Sequence, residues 1–142
     1  MKVSKIKING MRNPIGFSFD SVRCGWLVSD TAAKKTVHVK IDVAKDENFE
    51  NILFTKEGEE LNSACEILDM ELEPRTRYYV RVAVVGDNKE KAGDTAFFET
   101  AKMEEPWQGK WVKPHREDQF HPVFEKDFEA KENLVDARLY IS

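Results

Sequence analysis

Residues 72–84, Leu-Glu-Pro-Arg-Thr-Arg-Tyr-Tyr-Val-Arg-Val-Ala-Val, constrain the fold more than any other stretch of this chain. Pro74 fixes its own φ and removes a backbone donor just before strand pairing can begin. From Tyr78 onward the side chains alternate. Tyr78, Val80, Val82 and Val84 share one face, and Tyr79, Arg81, Ala83 and Val85 share the other. The first face is aromatic and β-branched, which suits a core. A tyrosine at the head of such a strand can bury its ring and turn its hydroxyl back to the upstream backbone, the tyrosine corner of β-sandwich domains. The Leu-x-Pro-x-Thr-x-Tyr spacing favours that corner over an ordinary buried strand, and it says nothing about chemistry.

Other segments repeat the period of two. Residues 3–9 read as a first strand, and the turn-rich run 9–16 (Asn-Gly-Met-Arg-Asn-Pro-Ile-Gly) as a loop. Residues 21–30 place Val22, Cys24, Trp26 and Val28 on one face, with Trp26 the natural central core residue. Residues 36–44 put Val37, Val39, Ile41 and Val43 inward and His38, Lys40 and Asp42 outward, so His38 reads as solvated. Residues 46–49 suggest a helical turn or bulged loop with Phe49 tucked inward, followed by a short strand at 52–55 and an exposed connection at 56–63. A strand is expected at 64–70, but Ile67 and Leu68 cannot both face a core, which leaves its register open. Residues 86–89, Gly-Asp-Asn-Lys, form a hairpin turn into a closing strand at 95–100.

About seven short strands with almost no helical periodicity predict an antiparallel two-sheet sandwich over residues 1–100. Residues 101–106 read as a linker. Beyond it, Trp107, Trp111 and Val112 open a new hydrophobic segment, and strands are expected at 122–130 and 134–141, with Phe124 and Phe128 on one face and Val135, Ala137, Leu139 and Ile141 on another. Residues 107–142 are too few for a core of their own, so they read as the truncated start of a second sandwich.

Composition narrows the function classes. With a formal charge of −4, interspersed signs and no basic stripe, nucleic acid is not an expected partner. No apolar run approaches membrane-spanning length, and the N-terminus alternates with lysine where a signal peptide would carry an apolar core. The cytoplasm is the expected compartment, with Cys24 and Cys65 as free thiols. Neither cysteine has a second one nearby, so a zinc ribbon or CxxC redox site is excluded, and Cys24 reads as a small buried hydrophobe.

The ordered set of motifs carries a resemblance. Asn13-Pro14-Ile15-Gly16, Trp26, Asp46-Glu47-Asn48-Phe49, the 75–82 run, Phe97-Phe98-Glu99-Thr100, Trp107, Lys110-Trp111, the 122–128 run Pro-Val-Phe-Glu-Lys-Asp-Phe and the 137–141 run Ala-Arg-Leu-Tyr-Ile follow one another along essentially the full chain. Leu72, Pro74, Thr76 and Tyr78, with Trp26 on an early strand, resemble a fibronectin type III domain. The whole order resembles the N-terminus of bacterial α-L-rhamnosidases, in which a fibronectin-like module precedes a second β-sandwich and an (α/α)-barrel catalytic domain. The resemblance implies an enzyme that removes terminal rhamnose with inversion, through acids in the barrel. No catalytic residue carries over to this chain.

Constellations within the chain weigh against chemistry of its own. Glycoside hydrolysis needs two facing carboxyls roughly 5–10 Å apart. Glu57, Glu59, Glu60, Glu104 and Glu105 lie in polar connections, where solvated roles are favoured. His115, Glu117, Asp118 and His121 could ligate a divalent metal but lack a helix, a cysteine or an i, i+4 histidine pair, so a polar loop is favoured. No nucleophile elbow and no phosphate loop is present. No cofactor is expected. Tyr79, Trp107, Trp111 and one of Phe97 or Phe98 could offer flat faces to a sugar, with packing at a domain junction favoured for the two tryptophans. The function expected is therefore a non-catalytic accessory module whose partners are the downstream domains of the same enzyme. The alternatives are a stand-alone carbohydrate-binding module and a fibronectin-like adaptor for proteins. Self-association through residues 107–142 is also expected, because unpaired strand edges invite pairing with a second copy.

Overall fold

The computed structural model describes residues 1–113 and 123–140 and forms eight strands among them, seven where alternation predicts them and one, at 15–17, where it does not. They are β1 (Lys2–Ile8), β2 (Ile15–Phe17), β3 (Val22–Ser29), β4 (Thr36–Ala44), β5 (Ile52–Gly58), β6 (Glu66–Leu68), β7 (Arg77–Gly86) and β8 (Lys91–Thr100). One sheet has the order β1-β3-β6, the other β2-β8-β7-β4-β5. The chain divides into two compact units, Met1–Glu105 and Pro106–Ser142.

In the first unit the two sheets face each other across one core. The large sheet contributes Val39, Ile41, Val43, Tyr78, Val80, Val82, Val84 and Phe98, and the small sheet Val3, Ile6, Ile8, Val22, Cys24, Trp26 and Leu68. Leu72 packs against its margin. The register is the one hydrophobic burial demands: Val80 lies opposite both Val43 and Ala96, and Tyr78 opposite Phe98.

The tyrosine corner is formed. Tyr78 is 1% exposed, its ring stacks on Phe98 at 5.1 Å, and its hydroxyl accepts a hydrogen bond from the Glu73 backbone N–H at 2.8 Å. A second latch closes the same loop. Thr100 Oγ1 accepts from the Thr76 N–H at 2.9 Å and donates to the Glu73 carbonyl at 2.6 Å. Arg75, at φ 50°, donates its N–H to the Ala101 carbonyl.

Several expectations are revised. The expected loop at 9–16 contains the start of a strand: β2 runs parallel to the end of β8, where Glu99 N–H bonds to Pro14 O and Ala101 N–H to Phe17 O. Three residues around a left-handed Gly16 carry no periodicity, so only the open edge of β8 makes them a strand. In β6, Leu68 pairs with Val22 and is buried while Ile67 pairs with Arg23 and is 50% exposed, which settles the open register and shortens the expected 64–70 strand. β5 continues to Gly58 through part of the expected connection, because β4 offers partners as far as Val39. Likewise β8 begins at Lys91, four residues before the expected start, as the whole outer length of β7 is available for pairing.

Phe49 is buried, but it lies under Arg81 on the outer side of the large sheet and takes no part in the core cluster. The loop holding it is fixed by Asp46, whose carboxylate accepts the Glu50 and Asn51 N–H groups. Asp42 points outward as expected, yet only 3% of it is exposed, because neighbouring side chains cover it.

The second unit differs most from expectation. Among its described residues, 106–113 and 123–140, no strand is formed over the segments expected at 122–130 and 134–141; Pro122 and Ile141 lie outside the described residues. Phe124, Phe128, Val135 and Leu139 are exposed at 59%, 85%, 98% and 83%. Alternation alone does not hold a strand: without a third strand or a helix over its apolar face, a hairpin is marginal in water. The expected linker 101–106 is tied to the first unit as far as Glu105, whose carboxylate meets Arg75 at 2.9 Å.

Candidate functional site

The outer face of the large sheet is where the sequence placed Tyr79, and the structure gathers a polar-aromatic cluster around it. Because β7 alternates, Arg77, Tyr79 and Arg81 all point away from the core, and β8 adds Phe97 and Glu99 by register, with Tyr79 opposite Phe97 and Arg77 opposite Glu99. The Tyr79 and Phe97 rings lie 6.4 Å apart, tilted by 53°. The Arg77 guanidinium sits 4.7 Å above the Phe97 ring and bonds Glu99 at 3.0 Å; that of Arg81 sits 4.3 Å above Phe49. Cation–π stacking and a carboxylate partner together fix each arginine.

Asp42 is the hub of this face. Its carboxylate accepts from Arg81 Nη2 at 2.8 Å and Thr55 Oγ1 at 2.8 Å, and Lys40 Nζ lies 3.5 Å away. Burial pushes the Asp42 carboxyl up, but the hydrogen bonds from Arg81 and Thr55 and the charges of Lys40 and Arg81 outweigh it and hold the pKa below its ordinary 3.8. Asp46, Glu66 and Glu90 are also held low. Glu90 falls to about 2 through hydrogen bonds from Thr31 and the terminal ammonium. Asp42, Asp46, Glu66 and Glu90 are therefore moved away from general-acid duty, which needs a raised pKa.

The other expected site residues fall apart in space or in role. Phe98 is buried, leaving Phe97 as the surface member of that pair. Trp107 and Trp111 belong to the second unit, 52% and 87% exposed. Glu57 sits 3.8 Å from His38 in an exposed pair across β4 and β5; Glu59 and Glu60 follow in an exposed turn, and Glu105 pairs with Arg75. His115, Glu117, Asp118 and His121 lie outside the described residues. Among the described residues no group of three or more His, Cys, Asp or Glu side chains could hold a metal ion, and no helix is long and apolar enough to cross a membrane. Cys24 is fully buried and its thiol is pushed up to about 12 by burial and the nearby Glu66 charge, so it is an inert packing group; Cys65 is exposed.

Missed by the sequence reading were the other groups on this face: the Asp42–Arg81–Thr55 network and the two stacked arginines. Alternation along β7 already put Arg81 beside Tyr79, but the pairing of β7 with β4 and β8 could not be read from it.

Residues 3–104 match the family model described as the Rha78A-like, N-terminal immunoglobulin domain. The chain belongs to that family. Its immunoglobulin-like sandwich also matches solved structures: an α-L-rhamnosidase from Streptomyces avermitilis complexed with L-rhamnose, at TM-score 0.70 and 19% identity over 79% of this chain, and an α-L-rhamnosidase from Dictyoglumus thermophilum, at TM-score 0.64 and 20% identity over 78%. The chain spans only 12% and 14% of the length of those two proteins. No curated protein matches it.

Proposed function

We propose that this immunoglobulin-like chain serves as a non-catalytic accessory module of an α-L-rhamnosidase-like glycoside hydrolase, whose activity on terminal rhamnose resides in a separate catalytic domain. The observation that carries the reading is the family match over residues 3–104, in a chain equivalent to 12% of the Streptomyces enzyme. Asp42, Asp46, Glu66 and Glu90, all held ionised, support it. The module's role in this reading is structural: a rigid sandwich that holds later domains in place. The outer face of the large sheet suits that work, because Tyr79, Phe97, Arg77 and Arg81 are the residue types that anchor protein interfaces.

Two measurements test it. Purified chain incubated with a chromogenic α-L-rhamnoside is expected to show no turnover; turnover abolished by one Glu or Asp substitution within 1–142 would overturn the reading. The genomic sequence past the codon for Ser142 is expected to continue into, or lie beside, a glycosidase catalytic domain.

A further inference from the structure

A second surface, on the opposite sheet, is distinct from the Tyr79 face. Outward positions of β1 and β3 line a groove of about 770 Å³ on the outer side of the small sheet. Such a volume falls in the range of small-ligand sites, about 300–1,000 Å³. Gly25 shapes one wall: a Cβ there would meet the Ala64 carbonyl oxygen at 2.8 Å, so glycine lets the 63–65 loop lie across the sheet, where Ser63 O accepts the Trp26 N–H. Asn9 shapes the other wall. Its side-chain amide donates to Ser21 O and its oxygen accepts the Arg23 N–H, holding the loop before β3 against the end of β1.

The groove is cationic on a chain whose net charge is −4. Lys5, Lys7 and Arg23 line it with a single carboxylate, Asp20, and the three cations make no ion pair with any described residue. Lys40, Lys45, Lys56, Arg75, Arg77 and Arg81 have carboxylate partners, whereas Lys2, Arg12, Lys34, Lys35, Lys89 and Lys91 share with the groove cations the lack of one among the described residues, so it is the grouping of the three along one groove that sets them apart. The three sit at outward positions along two neighbouring strands, with Lys7 opposite Gly25. Leu27, 44% exposed, adds apolar surface, and Ser18, Ser21 and Ser63 also line the groove. β3, which forms the floor, is paired on both sides, so an extended peptide finds no free ladder of backbone groups there.

We propose that this groove binds an acidic oligosaccharide, a chain of sugar rings bearing carboxylate groups. The cations meet the carboxylates, the serines meet ring hydroxyls and the apolar floor meets the C–H faces of the rings. The inference rests on the reading of the chain as part of a carbohydrate-active enzyme, and it adds a ligand class which that reading leaves open.

The test is amide chemical-shift mapping of the full 142-residue chain, titrated with trigalacturonic acid, its methyl ester, sodium sulfate and a hexaglutamate peptide. The acidic trisaccharide is expected to shift β1, β3 and the 63–65 loop, to bind more weakly as salt is raised, and to lose about tenfold or more in affinity in the Lys5→Gln/Lys7→Gln/Arg23→Gln variant. These side chains are exposed, so the variant should keep the parent spectrum elsewhere; if it does not fold, Arg23→Glu alone is expected to show the loss. No shifts at millimolar sugar, equal binding of the methyl ester, sulfate shifting the same amides with equal affinity, tighter binding of hexaglutamate, or undiminished affinity in the variant would each overturn the proposal. Such a failure, with rhamnoside turnover absent and a catalytic domain encoded alongside, would remove the groove and leave the accessory role standing.

Discussion

At the scale of single residues, the hydroxyls of Tyr78 and Thr100 reach back to hold the loop at 73–76, and each can be removed with little change of shape. Tyr78→Phe leaves the Glu73 N–H without its 2.8 Å acceptor and should destabilise the first unit by about 1 kcal/mol. Thr100→Val removes the bonds made by a fully buried Oγ1, to Thr76 and to the Glu73 carbonyl, and should cost somewhat more, about 1–3 kcal/mol. Urea melts of both variants against the parent check this; overlaying curves would refute the corner as a stabilising device. Asp42 gives a prediction in pH. Its folded pKa lies below the ordinary 3.8, so its contribution is fully present above pH 3.8 and is lost as pH falls through the folded value. The urea midpoint of the parent should therefore drop on acidification below about pH 4, and Asp42→Asn should show a shallower drop over that interval. A parallel drop in both would remove Asp42 from the acid response.

At the scale of elements, pairing partners decided what the sequence left ambiguous. β6 is the clearest case. Ile67 and Leu68 are equally apolar, and only the antiparallel register on β3, with Leu68 opposite Val22, sends one inward and the other out. Leu68→Ala should cost about 2–4 kcal/mol, whereas Ile67→Ala should cost under about 0.5. Thermal or urea denaturation distinguishes them, and equal losses would mean a different register. β2 makes the same point from the opposite side. No pattern in Ile15, Gly16 and Phe17 announces a strand, but the outer edge of β8 has unpaired groups and these residues take them.

At the scale of the whole molecule, the two units contrast. The first closes a buried core and leaves none of its large apolar side chains more than 52% exposed; the second leaves Trp111, Val123, Phe128, Val135 and Leu139 more than four-fifths exposed. Exposed apolar groups at that density mark an interaction surface. We infer that residues 107–142 associate with a second copy of the chain when no other partner is offered. Light scattering should find the full chain larger than a monomer and a chain ending at Glu105 monomeric. A monomeric full chain, or an oligomer that survives the cut, would refute this.

The sequence by itself determined the sandwich, the burial of Trp26, Tyr78, Val80 and Val82, and the tyrosine corner. These follow from local alternation and from a fixed spacing between a proline, a threonine and a tyrosine, and strands one face of which is buried have little freedom of register. It also placed Tyr79 on the outer face. Only the tertiary structure decided what surrounds Tyr79, because Asp42 and Arg81 are 39 positions apart and meet through the pairing of β4 with β7. The cationic groove was equally hidden. Lys5 and Lys7 read as the polar half of an alternating strand, and Arg23 as the same on another. It takes the β1–β3 pairing, and a glycine that lets a distant loop cross the sheet, to turn those solvated positions into one surface.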